Sequence, residues 1–273
     1  MTWYDKLFSP KKIILPNGKE IVEKRTRTPL ILLLLVLMTY LSLQVTGFKF
    51  EILLKRGHQF FNIVEAMVPP NTAFLPKVLE PLLDTIKMSL IGSLLGALLA
   101  VPLAIVASRN IIKNRFVTGF FQLVLSILRT LPTLVTALIA TFIFGLGTMA
   151  GTLAIFLFSL SYIGKLLYEQ IENIDMGAFE ALESMGLTKT QSFRYAVWPV
   201  ILPTYLSTSL YNFEGNVRYA AILGYVGAGG IGLVLDERLG WRDYPSVGMV
   251  LIALIFTVFV IESISEYFRK KLQ

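Results

Sequence analysis

Arg129 lies inside an apolar run spanning residues 116–144, while Glu214 and Arg218 lie one helical turn apart inside another, 200–223, with Asn216 between them. Ionisable side chains at such positions are expensive in hydrocarbon and must face protein or water. Two kinds of chemistry suit them. Glu214 and Arg218, at i and i+4, can neutralise each other and hold helices together. Arg129 has no acidic neighbour in its own run, and a lone, delocalised, loosely hydrated guanidinium suits passing contact with an anion. Arg129, Glu214, Asn216 and Arg218 are therefore the candidates for a translocation path. Catalysis has less to work with. The chain has no cysteine, its one histidine, His58, sits in a polar connecting stretch, and no convergent acid pair offers a nucleophile or base. No metal site follows from a single histidine.

Two glycine patterns bear on nucleotide chemistry and exclude it. The loop G-x-x-x-x-G-K-[ST], which cradles phosphates, is absent, so ATP hydrolysis belongs to another polypeptide. In "GYVGAGGIG", Gly227, Gly229 and Gly232 formally satisfy G-x-G-x-x-G, but they follow an apolar run rather than a strand and meet Asp236 and Glu237 within a few residues. That is not the dinucleotide fingerprint, which needs a strand, a helix and an acid about 20 positions on. Gly227, Gly229, Gly230 and Gly232 are instead gate or packing glycines, letting backbone pass close to another helix or forming an irregular segment buried in protein. Gly92 and Gly96, at G-x-x-x-G spacing, read as helix-packing residues.

The elements that must position these groups are membrane helices. The 273 residues are 55% hydrophobic and 16% charged, with a mean hydropathy of +0.66, and the apolar residues fall in runs rather than stripes. A hydrocarbon core about 30 Å thick needs about 20 residues of helix. Six runs qualify, starting near Pro29, Thr85, Phe116, Thr148, Val200 and Val247. The third, interrupted by Arg129 and Pro132, reads as one kinked helix or as a short helix followed by a longer one. Basic residues cluster in the first 28 positions (Lys6, Lys11, Lys12, Lys19, Lys24, Arg25, Arg27), in the second connection (Arg109, Lys113, Arg115) and in the tail (Arg269, Lys270, Lys271). By the positive-inside rule all three are cytoplasmic, and six spans then close with both termini inside. The basic pI of about 9.5 follows from this topology, so nucleic acid is not an expected partner. No small-residue cleavage pattern follows the first run, which favours an uncleaved span over a signal peptide.

This topology puts the polar stretch "FEALESMGLTKTQSFRYAVWP", residues 179–199, in the cytoplasm. Asp175 can cap a helix over about 176–185, in which Ala178, Ala181, Leu182 and Met185 form one apolar face. Gly186 supplies the left-handed residue at its end. Thr188 and Gln191 have capping-box spacing for a second helix, with Phe193, Ala196 and Val197 as its apolar face, and Pro199 marks a turn toward the fifth run. Either both faces fold onto their own transmembrane helices or part of the surface docks another protein.

The chain resembles the permeases of binding-protein-dependent ABC importers, whose cytoplasmic signature reads E-A-A, three residues, G, nine residues, I-x-L-P. Glu180, Ala181, Gly186 and Pro199 are in register, while Leu182, Ala196 and Trp198 depart from it. The blocks "ILRTLPTLVTALIATFIFGLGTMAGTLA", "IGKLLYEQIENID" and "YNFEGNVRYAAILGYVGAGGIG" are similar to the phosphonate-type branch, over most of residues 80–273. The resemblance implies an all-α polytopic membrane protein. Residues 1–80 form a cytoplasmic segment, first span and external loop, and residues 81–273 form the permease domain. It implies that Glu180, Ala181, Gly186, Phe193 and Pro199 couple to an ATP-binding subunit present in two copies. It further implies a second permease copy as a homodimer, an extracytoplasmic substrate-binding protein, surrounding membrane lipid, no cofactor, and a phosphonate-like or phosphate-like oxyanion as cargo in the inner membrane. A permease for methionine or another amino acid is the nearest alternative. A membrane enzyme acting on phospholipid headgroups, with Arg129 and Arg218 as phosphate clamps, is the alternative from another class.

Overall fold

The computed structural model describes residues 12–14, 16, 18, 20–22 and 28–272, and the chain divides into two units, 1–62 and 63–273. In the first, β1 (Lys12–Ile14) pairs antiparallel with β2 (Glu20–Val22), with Ile13 opposite Ile21. Beyond this ribbon of two three-residue strands the regular elements among the described residues are helical. The ribbon is followed by α1 (Thr28–Val45), which coincides with the first apolar run, then by α2 (Phe50–Arg56) and the start of α3 (His58–Ala66). Lys6, Lys11, Lys19, Lys24, Arg25 and Arg27 of the basic N-terminal cluster lie outside the described residues.

The second unit holds α4 (Leu75–Ala107), α5 (Arg115–Thr130), α6 (Thr133–Phe144), α7 (Thr148–Asn173), α8 (Gly177–Ser184), α9 (Lys189–Ser192), α10 (Trp198–Leu223), α11 (Ile231–Gly240) and α12 (Tyr244–Leu272). Three unbroken helices, Thr72–Ala107, Thr148–Asn173 and Tyr244–Leu272, are long and apolar enough to cross a bilayer. Three bent pairs bring the number to six if each is one span. The third run is one of these pairs, and it reverses the expected order: the longer helix α5 comes first and the shorter α6 second, meeting at 90°. The break falls at Leu131 and Pro132, both extended. Proline disfavours the helical conformation at the residue before it and cannot donate to the preceding turn.

Small residues bring the long helices together. A Cβ added at Gly92 would lie 2.8 Å from the Ile155 side chain, and one at Gly96 would lie 2.6 Å from Ser159 Cβ, so α4 and α7 approach with nothing between them. Beside this contact, Asn216 of α10 donates through Nδ2 to Ser93 Oγ (2.8 Å), Ser159 Oγ (2.8 Å) and Asn212 Oδ1 (3.0 Å), and its carbonyl accepts from Ser89 Oγ (3.3 Å). One buried amide thus ties α4, α7 and α10.

At the far end of α10 the chain turns through a 3₁₀ turn, Gly224–Val226, and an irregular stretch before α11. The glycines here are placed by close approach. The Gly227 carbonyl accepts from Gly147 N–H (2.9 Å). A Cβ at Gly229 would meet Thr148 N at 2.7 Å, one at Gly230 would meet Thr85 Oγ1 at 2.6 Å, and one at Gly232 would meet the Ala221 carbonyl at 2.1 Å. Thr85 Oγ1 in turn accepts from Ile231 N–H at 2.7 Å, capping α11. The segment is therefore a junction of α4, α7, α10 and α11.

Candidate functional site

Of the ionisable residues singled out in the spans, Arg218 lines a cleft between α7 and α10. Its volume is about 420 Å³, and it is lined by Phe158 and Tyr162 of α7 and by Tyr211, Asn212, Gly215, Arg218 and Tyr219 of α10. These are i, i+4 positions on facing helices, so each helix presents one stripe. Phe158 stacks on Tyr162 and meets Tyr219 edge to face, with centroids 5.8 and 5.9 Å apart, which stiffens the wall.

Three guanidinium groups bear on this wall. Arg218 lines it directly. Arg129, exposed in the last turn of α5, sets its guanidinium carbon 5.4 Å from the centre of the Tyr162 ring. Arg269 of α12 stands 5.6 Å from the centre of the Tyr211 ring. Against them stands one carboxylate. Glu214 is 3% exposed; its Oε1 accepts from Arg218 Nη2, and its Oε2 accepts from Arg269 Nη2 at 3.5 Å. The i, i+4 ion pair expected from sequence is present and has a third member. Arg129 is not paired with Glu214, and among the described residues it has no ion-pair partner.

Asn216 does not join the cleft. It is 1% exposed and engaged in the network described above. Its effect on the cleft is indirect: by donating to Asn212 Oδ1 it leaves the Asn212 amide N–H groups for the cleft that Asn212 lines. The cleft thus offers donors from Arg218 and Asn212 and hydroxyls from three tyrosines, with the cation balance positive. Such a wall recognises an anion with several acceptor oxygens.

A second recess of about 490 Å³ continues along the same faces toward the 175–199 segment, through Leu166, Glu169, Gln170 and Asn173 of α7 and Val200, Thr204 and Thr208 of α10. It has no guanidinium among its lining residues. Sequence reasoning did not single out Phe158, Tyr162, Tyr211, Asn212, Tyr219 or Arg269. The i, i+4 aromatic pair Phe158 and Tyr162 and the i, i+8 pair Tyr211 and Tyr219, each set on one helical stripe, are the signal that could have found most of them.

The capped segment also has a definite geometry. Asp175 Oδ1 accepts from Gly177 N–H (2.9 Å) at the start of α8. The helix ends with Gly186 at φ +93°, with Gly186 N–H donating to Glu183 O (3.0 Å) and Leu187 N–H to Leu182 O (3.2 Å). This is the left-handed closure that glycine permits. The Thr188–Gln191 capping box forms. The apolar face proposed for α8 is not folded inward: Phe179 is the buried residue, whereas Ala178, Ala181 and Met185 are exposed along with Glu180 and Gly186. Phe193 turns the other way, half-buried against the core and 6.4 Å from the Trp198 ring.

Pro199 does not mark a turn. α9 runs through a π-helical stretch, Phe193–Val197, directly into α10, with Trp198 N–H donating to Phe193 O. The wider π turn precedes a proline at the first turn of α10, where its missing N–H is tolerated.

Residues 92–273 match the family described as binding-protein-dependent transport system inner membrane component. The chain is 33% identical over 206 residues to the phosphite transport system permease protein PtxC of Stutzerimonas stutzeri, covering 76% of this chain and 74% of that protein. It is 31% identical over 212 residues to the phosphate-import permease protein PhnE of Mycolicibacterium smegmatis, covering 77% and 40%. Among solved structures, it resembles a chain of the MetNI methionine ABC transporter in inward-facing conformation, with a TM-score of 0.66 at 20% identity over 74% of this chain and 99% of that one.

Proposed function

The chain belongs to the family of binding-protein-dependent transport system inner membrane components, and we propose that it carries inward an oxyanion of the phosphite, phosphonate or phosphate type, as its phosphite and phosphate permease relatives suggest. It is the permease subunit of an ABC importer, not an enzyme, and a multi-pass protein of the inner membrane. The family implies an ATP-binding subunit and a substrate-binding protein as partners. In this reading two copies of the chain work with two ATP-binding subunits. Each copy closes the α7–α10 cleft of the other, and both termini are cytoplasmic. Glu180, Ala181 and Gly186, with the outward Ala178 and Met185, form the docking surface for the ATP-binding subunit. Phe193 and Pro199 serve it by anchoring the segment to α10. The junction formed by Gly227, Gly229, Gly230 and Gly232 closes the opposite end.

The observation that carries the oxyanion reading is the cleft itself, lined by Arg218, Asn212 and three tyrosines with no acid among its lining residues, and with Arg129 and Arg269 set against the Tyr162 and Tyr211 rings of its wall. A zwitterionic amino acid would need an anionic group free to meet its ammonium, and Glu214 is already committed to two arginines. The test is transport by the chain reconstituted in liposomes with its ATP-binding subunit and binding protein. ATP-dependent accumulation of phosphate, competed by phosphite and methylphosphonate but not by methionine, is the expected result. Uptake of methionine without oxyanion uptake would overturn it.

A further inference from the structure

The ion-pair triad at Glu214 holds a contradiction that a purely structural account leaves standing. A buried carboxylate is stable only when paired, and Glu214 is paired twice, to Arg218 one turn along α10 and to Arg269 on α12. Yet the Arg218 side chain is 52% exposed, against 3% for Glu214 and 23% for Arg269. Within the single chain one member of the triad therefore lines the cleft with a half-exposed side chain, whereas the other two are buried or nearly so. Gly215, next to Glu214 in sequence and also lining the cleft, adds no side chain of its own there; a Cβ at this position would meet only the Tyr219 ring, at 3.9 Å. Asn212, aimed by Asn216, supplies a donor beside Arg218.

We propose that Glu214 is a built-in rival for the transported anion. Between passages its carboxylate holds Arg218 and Arg269; an entering oxyanion takes Arg218 from it, while Arg269 keeps the carboxylate neutralised. The two acceptors are chemically alike, since a carboxylate and a tetrahedral oxyanion both present paired oxygens to a guanidinium fork. Exchange between like partners has little net driving force, which is what a conduit requires: the anion is attracted but is released when the carboxylate returns. The swap breaks only the pair internal to α10 and leaves the Glu214–Arg269 bond, which joins α10 to α12, in place.

This rests on the reading of the chain as an oxyanion permease, and the test separates the two. Inorganic phosphate binding is measured by calorimetry on the full transporter in nanodiscs without binding protein, for wild type, Glu214→Gln, and the charge-balanced double variant Glu214→Gln/Arg269→Gln. The double variant strands no buried charge and guards against misfolding of the single one. Removing the rival should tighten phosphate binding about tenfold, the worth of a charge-assisted bond, while slowing ATP-driven uptake because release becomes limiting. Equal affinity in all three proteins would overturn the exchange and leave the anion path standing. Absence of phosphate binding in all three would overturn the path and the exchange with it.

Discussion

Arg129 meets a ring rather than a carboxylate, so removing its charge strands no buried partner. Arg129→Gln should leave the melting temperature in detergent nearly unchanged, as for exposed substitutions worth less than about 0.5 kcal/mol, and should lower oxyanion uptake about tenfold through loss of a charged donor. Adding Glu214→Gln should not rescue it, since the two groups are not paired; rescue in an uptake assay would make Arg129 structural. Asn216 is the opposite case. Asn216→Ala removes a donor from Ser93, Ser159 and Asn212 at once, and should cost about 1–3 kcal/mol in the stability of the purified protein, measured by thermal melting. Arg129, Glu214 and Arg218 are visible in the sequence because a charge inside an apolar run has few explanations. Tyr162, Tyr211 and Tyr219 are not, because an aromatic residue in such a run reads the same whether it faces lipid or a cleft. Arg269 was read with the basic tail, and only the packing of α12 on α10 brings it to Glu214.

Between α7 and α10, local signals read well where a cap or turn depends on neighbours in sequence. Asp175, the Thr188–Gln191 box and Gly186 all take their expected places. Of the two arrangements left open for α8, its stripe is exposed at Ala178, Ala181 and Met185 while Phe179 takes the core position. One reading fails for a reason that spacing does not reveal. Pro199 lies inside a helical path because the π stretch absorbs its missing donor. Gly186 is the point where this segment is most exposed to single changes. Open space surrounds it, so Gly186→Val fails by conformation alone: a β-branched residue at φ +93° is strained by about 1–2 kcal/mol or more. The variant should insert and purify normally but hydrolyse ATP without matching uptake in the reconstituted transporter. Normal coupling would remove the segment from the ATPase interface.

By length and composition the helices allow up to six crossings, and the Lys and Arg distribution leads us to propose that the 175–199 segment, the α4–α5 connection and both termini are cytoplasmic. With this chain free of cysteine, single cysteines at Lys12 and Lys270 should resist a membrane-impermeant thiol reagent in intact cells and react in inverted vesicles. Labelling from outside at either position would reverse the topology. A last consequence concerns mechanics. No loop separates Lys189 from Leu223, so Phe193 and Glu214 sit on one rod, about 30 Å apart at 1.5 Å per residue. A push at the docking surface has no slack to vanish into, and the π stretch is its natural fulcrum. A tilt of about 10° there would swing Glu214 sideways by about 5 Å, given that lever arm. A tilt of that size draws on the Glu214–Arg269 bond, the one bond of the triad that joins α10 to a separate helix.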